Sequence, residues 1–152
     1  MTTRYENVEL RVTRSSNGDH GISIHAVDSN GNDGPSYTIH PLPPTVEVKP
    51  IVRVNLDSDD FKEIRGYMKW WDDIQKGESD YERVDLSIDR AGGRAYQMAI
   101  SVRDSGGYGH GFRLYGPKYI GDSVGVLDHG LTETDVREIR KILDLVDGGQ
   151  DK

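Results

Sequence analysis

The chain has 152 residues, 34% hydrophobic and 30% charged, with no cysteine and a formal charge of −7. Its apolar runs fall far short of the ~20 residues of a membrane-spanning helix, and without thiols it has neither disulfides nor thiolate metal sites. The N-terminal MTTRYENVEL lacks the basic-then-apolar order of a signal peptide, so a cytoplasmic protein is expected, and the acidic balance weighs against an all-round basic coat for nucleic acid.

Val8, Leu10 and Val12 alternate with Glu9, Arg11 and Thr13, the period of a strand with one buried face. Ser15-Ser16-Asn17-Gly18 supplies a turn, and Ile22, Ile24 and Ala26 continue the inward face of a hairpin. The polar loop 28–35 reverses the chain into a third strand marked by Tyr37 and Ile39. After the stiff segment 41–44 a fourth strand is predicted over 45–55, interrupted at Pro50. A helix follows, with Asp57 or Ser58 as N-cap, acids in its first turn, and Phe61, Ile64, Tyr67, Met68, Trp71 and Ile74 at three- and four-residue steps. Gly77 ends it.

The plan then recurs. YENVELRVTR at 5–14 reappears 76 positions later as YERVDLSIDR at 81–90, and LDSDDFKEIR at 56–65 matches LTETDVREIR at 131–140 with an offset of 75. Strands are predicted around Val84, Leu86 and Ile88, around Met98, Ile100 and Val102, around Phe112 and Leu114, and near 122–128. A helix is predicted near 132–147, with Val136, Ile139, Ile142, Leu143 and Val146 on its apolar stripe. The expectation is an α+β fold: two pseudosymmetric four-strand-plus-helix repeats (5–76 and 81–147, linker 77–80) forming a single domain over 1–152, with antiparallel sheets and helices packed at a shared core.

Charge is uneven. Residues 57–80 hold eight acids and four bases, whereas 90–121 hold five bases and one acid, a net +4 stretch inside an acidic protein. The glycine loop 105–111 leads into a strand rather than a helix N-terminus, so it reads as a hairpin connection with a minor possibility of approaching a phosphate. The five histidines show no helical metal spacing, and no nucleophile elbow or local triad is present. No enzymatic activity, metal or cofactor is expected. Trp71 reads as core; Trp70 reads as a helix–helix seam residue or an exposed partner anchor.

A four-strand-then-helix unit used twice resembles the single-stranded nucleic-acid binders that include the Whirly proteins and positive cofactor four. The second half carries it most clearly, in VDLSIDRAGGRAYQMAISVRD and HGLTETDVREIRKIL. The resemblance implies a sheet whose outward face and loops hold single-stranded DNA or RNA by cationic and stacking contacts, in a transcription or replication accessory factor that can assemble into homo-oligomers. Alternation then nominates Arg103, Arg113 and Tyr115 as outward residues, Arg90 and Arg94 at the hairpin mouth, and Tyr108, His110 and Lys118 on adjoining loops. Arg11, His25 and Arg53 are the counterparts in the first repeat. Two readings of other classes stand beside this one: a protein-interaction or inhibitor module using the acidic first helix and Trp70, and a binder of a small phosphorylated ligand expected at a cleft between the repeats, near the glycine loop.

Overall fold

Ten elements follow one another in a computed structural model that describes residues 5–42, 47–91, 96–116 and 123–150. They are β1 (Tyr5–Ser15), β2 (His20–Asp28), β3 (Asp33–His40), β4 (Val48–Asn55), α1 (Ser58–Gln75), β5 (Arg83–Ala91), β6 (Tyr96–Arg103), β7 (Gly109–Tyr115), β8 (Ser123–Gly130) and α2 (Glu133–Gln150). The fold is α+β, with two four-stranded antiparallel sheets of order β3-β2-β1-β4 and β7-β6-β5-β8. Neither helix is long and apolar enough to cross a membrane.

The two halves match down to their irregularities. In the β1–β4 ladder the register shifts between Val12 and Thr13, and in the β5–β8 ladder between Ile88 and Asp89, the same place at an offset of 76. Pro50 lies opposite Thr13 just past this bulge. The predicted interruption of the fourth strand is therefore a bulge within a continuous β4. Proline is accommodated because β4 is an edge strand, where a missing N–H need not face a neighbour. The turns repeat as well. Asp28 Oδ1 accepts the amides of Asn30 and Asn32 (both 2.9 Å), and Asp104 Oδ1 accepts those of Gly106 (2.9 Å) and Tyr108 (3.0 Å), with Gly31 and Gly107 at positive φ of 83° and 84°. Each hairpin is thus an Asx turn closed by a glycine that adopts the left-handed conformation at little cost.

Asp57 and Thr132 stand at the N-cap positions, with Asp59 and Asp60, or Glu133 and Asp135, in the first turns, where acids oppose the helix dipole. The C-terminus of α1 closes on Gly77 (φ 72°): its amide bonds Ile74 O, and that of Glu78 bonds Asp73 O.

What the chain order does not suggest is how helices and sheets are matched. The chain divides into two compact units, the first sheet with α2 and the second sheet with α1. Helix α2 packs on β1, β2 and β3, and α1 packs on β5 and β6. Each repeat lends its helix to the sheet of the other. In the first unit the core comprises Val8, Leu10, Val12, Ile22, Ile24 and Ala26 with Val136, Ile139, Ile142, Leu143 and Val146. In the second it comprises Val84, Leu86, Ile88, Met98, Ile100 and Val102 with Phe61, Ile64, Tyr67 and Met68. Each large aliphatic side chain so covered contributes roughly 1.5–3 kcal/mol.

Two polar contacts mark this matching. Tyr37 on β3 donates its hydroxyl to buried Asp135 of α2 at 2.6 Å, a bond that, with burial, pushes the phenol up to about 12. In the second unit the position of Tyr37 is taken by Phe112, opposite Ile100 as Tyr37 is opposite Ile24. There Tyr67 of α1 bonds His110 Nδ1 on β7 at 3.0 Å. Trp71, expected in the core, is half-buried and donates its indole N–H to Leu131 O at 3.2 Å.

Candidate nucleic-acid interface

On the first sheet, alternation aims Glu9 and Arg11 (β1), Ser23 and His25 (β2) and Arg53 (β4) away from the core, with Arg11 directly opposite Arg53 and Glu9 opposite His25. The cations are already matched. Arg11 grips both carboxylate oxygens of Asp33 (2.8 and 2.6 Å) and donates its Nε–H to Glu9 Oε1 (3.0 Å). The same Glu9 oxygen accepts Nε and Nη2 of Arg53 at 3.0 and 2.8 Å. Burial pushes the Glu9 carboxyl up, but the hydrogen bonds and charges of Arg53 and Arg11 outweigh it and hold the group below its ordinary value. The hydrogen bond from Arg11 lowers Asp33 as well. Burial and the Arg11 charge depress His25, whose Nε2 lies 2.7 Å from Ser23 Oγ, so its environment favours the neutral imidazole. Of the three predicted ligands on this sheet, Arg53 is the one whose side chain stays largely exposed, at 58%.

The outward face of the second sheet carries a network of different composition. Asp85 occupies the position of Glu9 and Asp128 that of Arg53, so an ion pair in one half becomes two carboxyls in the other. Asp85 is 1% exposed and accepts the Nε–H of Arg83 at 2.9 Å. Arg103 Nε lies 3.8 Å from the same oxygen, and its Nη1 bonds Gly107 O at 3.0 Å, which ties Arg103 to its own turn. Partial burial and the nearby Asp85 charge push Asp128 above its ordinary value.

A raised folded-state pKa means that the folded protein holds this proton more tightly than the unfolded chain. Its contribution to stability is therefore complete below the unfolded value and is lost as pH rises through the folded one. Asp128→Asn keeps a hydrogen-bonding group and removes the charge. Thermal unfolding at pH 7 is expected to show it more stable than the wild type, by a few tenths to about 1 kcal/mol. The gain should vanish as pH falls through the carboxylate range. A variant no more stable than wild type at pH 7 would show that the two carboxyls do not repel.

Strand β7 differs from both faces. Arg113, opposite the small Ala99, is exposed and has no ion pair among the described residues. Tyr108, in the turn before β7, is 78% exposed, and Tyr115 at its end is 40% exposed. Six residues lie between Tyr108 and Tyr115, so seven steps of nearly extended chain set their backbones roughly 23 Å apart. Among the described strands β7 lies at the edge of its sheet, with one side of its backbone unpaired by a neighbour.

The other predicted residues are placed differently. His110, expected on a loop, is the second residue of β7, opposite Val102 on the side that faces α1. It bonds Tyr67 and lies among Trp70 and Tyr81, with ring centroids 6.0 and 5.8 Å away. Trp70 is half-buried, with its ring edge-on to Tyr81 at 5.1 Å. Arg90 has the parity of Val84, Leu86 and Ile88 and sits 5.8 Å from the Tyr96 ring, so it does not share a face with Arg103 and Arg113. Arg94 and Lys118 lie outside the described residues. In the glycine loop the amides of Gly106, Gly107 and Tyr108 all bond Asp104, which leaves them engaged rather than open to a phosphate.

Sequence reasoning passed over the Asp85–Asp128 pair. The signal was there in Glu9 and Arg53, which align with them, but pairing the two positions requires the register of the bulged ladder. Comparison with protein-family models, with curated proteins and with solved structures finds no match to this chain.

Proposed function

We propose that this protein binds single-stranded nucleic acid along β7, with Tyr108 and Tyr115 as stacking platforms and Arg113 as the phosphate contact between them. The observation that supports the reading is this trio: two exposed aromatic rings bracketing an arginine that no described acid neutralises. Stacking on tyrosine tolerates any base, and a single strand, unlike a duplex, leaves its bases free to stack. The internally paired arginines of the first sheet contribute little, because a phosphate would have to displace Glu9 or Asp33 to reach Arg11. The acidic helix α1 offers less to a protein partner, since the Trp70 ring is already packed against Tyr81.

Fluorescence anisotropy with a labelled oligothymidylate tests the proposal. At low salt a saturable rise is expected, weakening as salt increases. Loss of either tyrosine ring should cost about 1–3 kcal/mol, and Arg113→Ala should reduce the salt slope by about 1. Arg11→Ala should leave affinity nearly unchanged. A flat titration at low ionic strength, or binding indifferent to all three β7 substitutions, would overturn it.

A further inference from the structure

A second cationic feature lies in the first unit, at the far end of the β1–β4 ladder, and it is independent of β7. The register there places Arg14 directly opposite Lys49. Like charges facing each other across strands repel and are tolerated where an anion or a carboxylate offsets them. Neither residue has an ion pair to any described residue. Both line a cleft of about 430 Å3 together with Ser15, Ser16, Glu47 and Ile51.

The turn beside the two cations is built firmly. Ser15 is 4% exposed, and its Oγ accepts the amides of Asn17 (3.2 Å) and Asp19 (3.1 Å), which fixes the turn that carries Ser16. The Ser16 amide bonds Glu47 O at 2.9 Å, which fixes the two walls of the cleft together and leaves the exposed Ser16 hydroxyl free to turn inward. In the other repeat the equivalents of Arg14, Ser15 and Lys49 are Arg90, Ala91 and Val124. Only the arginine is shared, and there it lies against the Tyr96 ring instead. The two cations therefore coexist in one copy alone, although both copies share the same backbone register.

We infer that this cleft is a binding site for a phosphate oxyanion. Arg14 supplies a planar fork of N–H donors, Lys49 a point charge on the same face, and Ser16 a hydroxyl donor to the anion's shell. Among the described lining residues Glu47 is the one acid, and it sets a limit on affinity. Two facing cations match the double charge of a phosphomonoester; the phosphodiester of a nucleic-acid strand offers similar oxygens with less charge.

Isothermal titration of the full chain with inorganic phosphate, a 5′-mononucleotide, and an oligonucleotide lacking terminal phosphates tests the inference. Saturable millimolar or tighter binding of phosphate and the mononucleotide is expected. The double variant Arg14→Gln, Lys49→Gln should weaken it at least about tenfold, and Arg113→Ala should leave it unchanged. Because the double variant alters a strand end, Glu47→Gln serves as a second arm, expected to tighten phosphate binding a few-fold. If the oligonucleotide instead binds in a manner sensitive to Arg14 and Lys49, and the mononucleotide does not, the oxyanion is a diester. The inference is overturned if phosphate gives no saturable heat, or if binding ignores both the double variant and Glu47→Gln. Failure of oligonucleotide binding alone bears on β7, not on this cleft.

Discussion

Leu143→Ala is expected to cost about 3 kcal/mol and to open the first sheet, not the second. Leu143 belongs by sequence to the second repeat, yet it is 0% exposed in a helix that packs on β1, β2 and β3. Truncating it leaves a cavity against that sheet, a loss that is large beside a typical total stability of ~5–15 kcal/mol. Hydrogen exchange reads out where the protection goes. Amides of β1 and β2 should lose it first, while those of β5 and β6 keep theirs. Met68→Ala, at a residue 1% exposed on α1, is the mirror experiment and should expose β5 and β6. If Leu143→Ala loosens β5 and β6 first, the helices sit on the sheets of their own repeats.

Cutting the chain between the repeats is expected to have the larger effect. A fragment of residues 1–79 keeps the first sheet and α1, and one of residues 80–152 keeps the second sheet and α2, so each retains the helix that serves the other. Val8, Leu10, Val12, Ile22 and Ile24 in the first fragment then lose the face of α2 that covers them. An antiparallel sheet left with one bare apolar face exposes adhesive surface and forfeits the burial that offsets chain entropy. Neither fragment should unfold cooperatively as a monomer, and mixing the two should restore helical signal and a cooperative transition. A monomeric 1–79 fragment that melts close to the intact chain would show that the exchange is dispensable.

Much of the fold was legible along the chain. Period-two alternation at Val8, Leu10 and Val12 and at Val84, Leu86 and Ile88 places the central strands, because burial of one sheet face imposes that period. Three- and four-residue steps with an acidic first turn place both helices. The bulge at Pro50 was legible as a disturbance but not as a bulge, since a proline's effect depends on whether its strand lies at an edge. The candidate site was legible in part. Arg113 and Tyr115 could be read as exposed, and Tyr108 as a loop residue. His110 could not be placed, because its neighbours Gly109 and Gly111 give no alternation to read, and only the approach of Tyr67 and Trp70 shows which side it occupies. Arg14 and Lys49 escaped notice for a different reason: their proximity is a property of the β1–β4 register, not of either strand.

The sequence by itself determined which segments are strands and helices, where the turns fall, and that one unit occurs twice, because these depend on local periodicity, capping and turn chemistry that each segment carries with it. Only the tertiary structure decided which helix covers which sheet and which charges neutralise each other. The apolar stripes of α1 and α2 have the same spacing, so periodicity fits either helix to either sheet. The choice rests on contacts distant in sequence, such as Tyr37 with Asp135 and Tyr67 with His110, and on ladder registers that bring Arg53 to Glu9 in one half and Asp128 to Asp85 in the other.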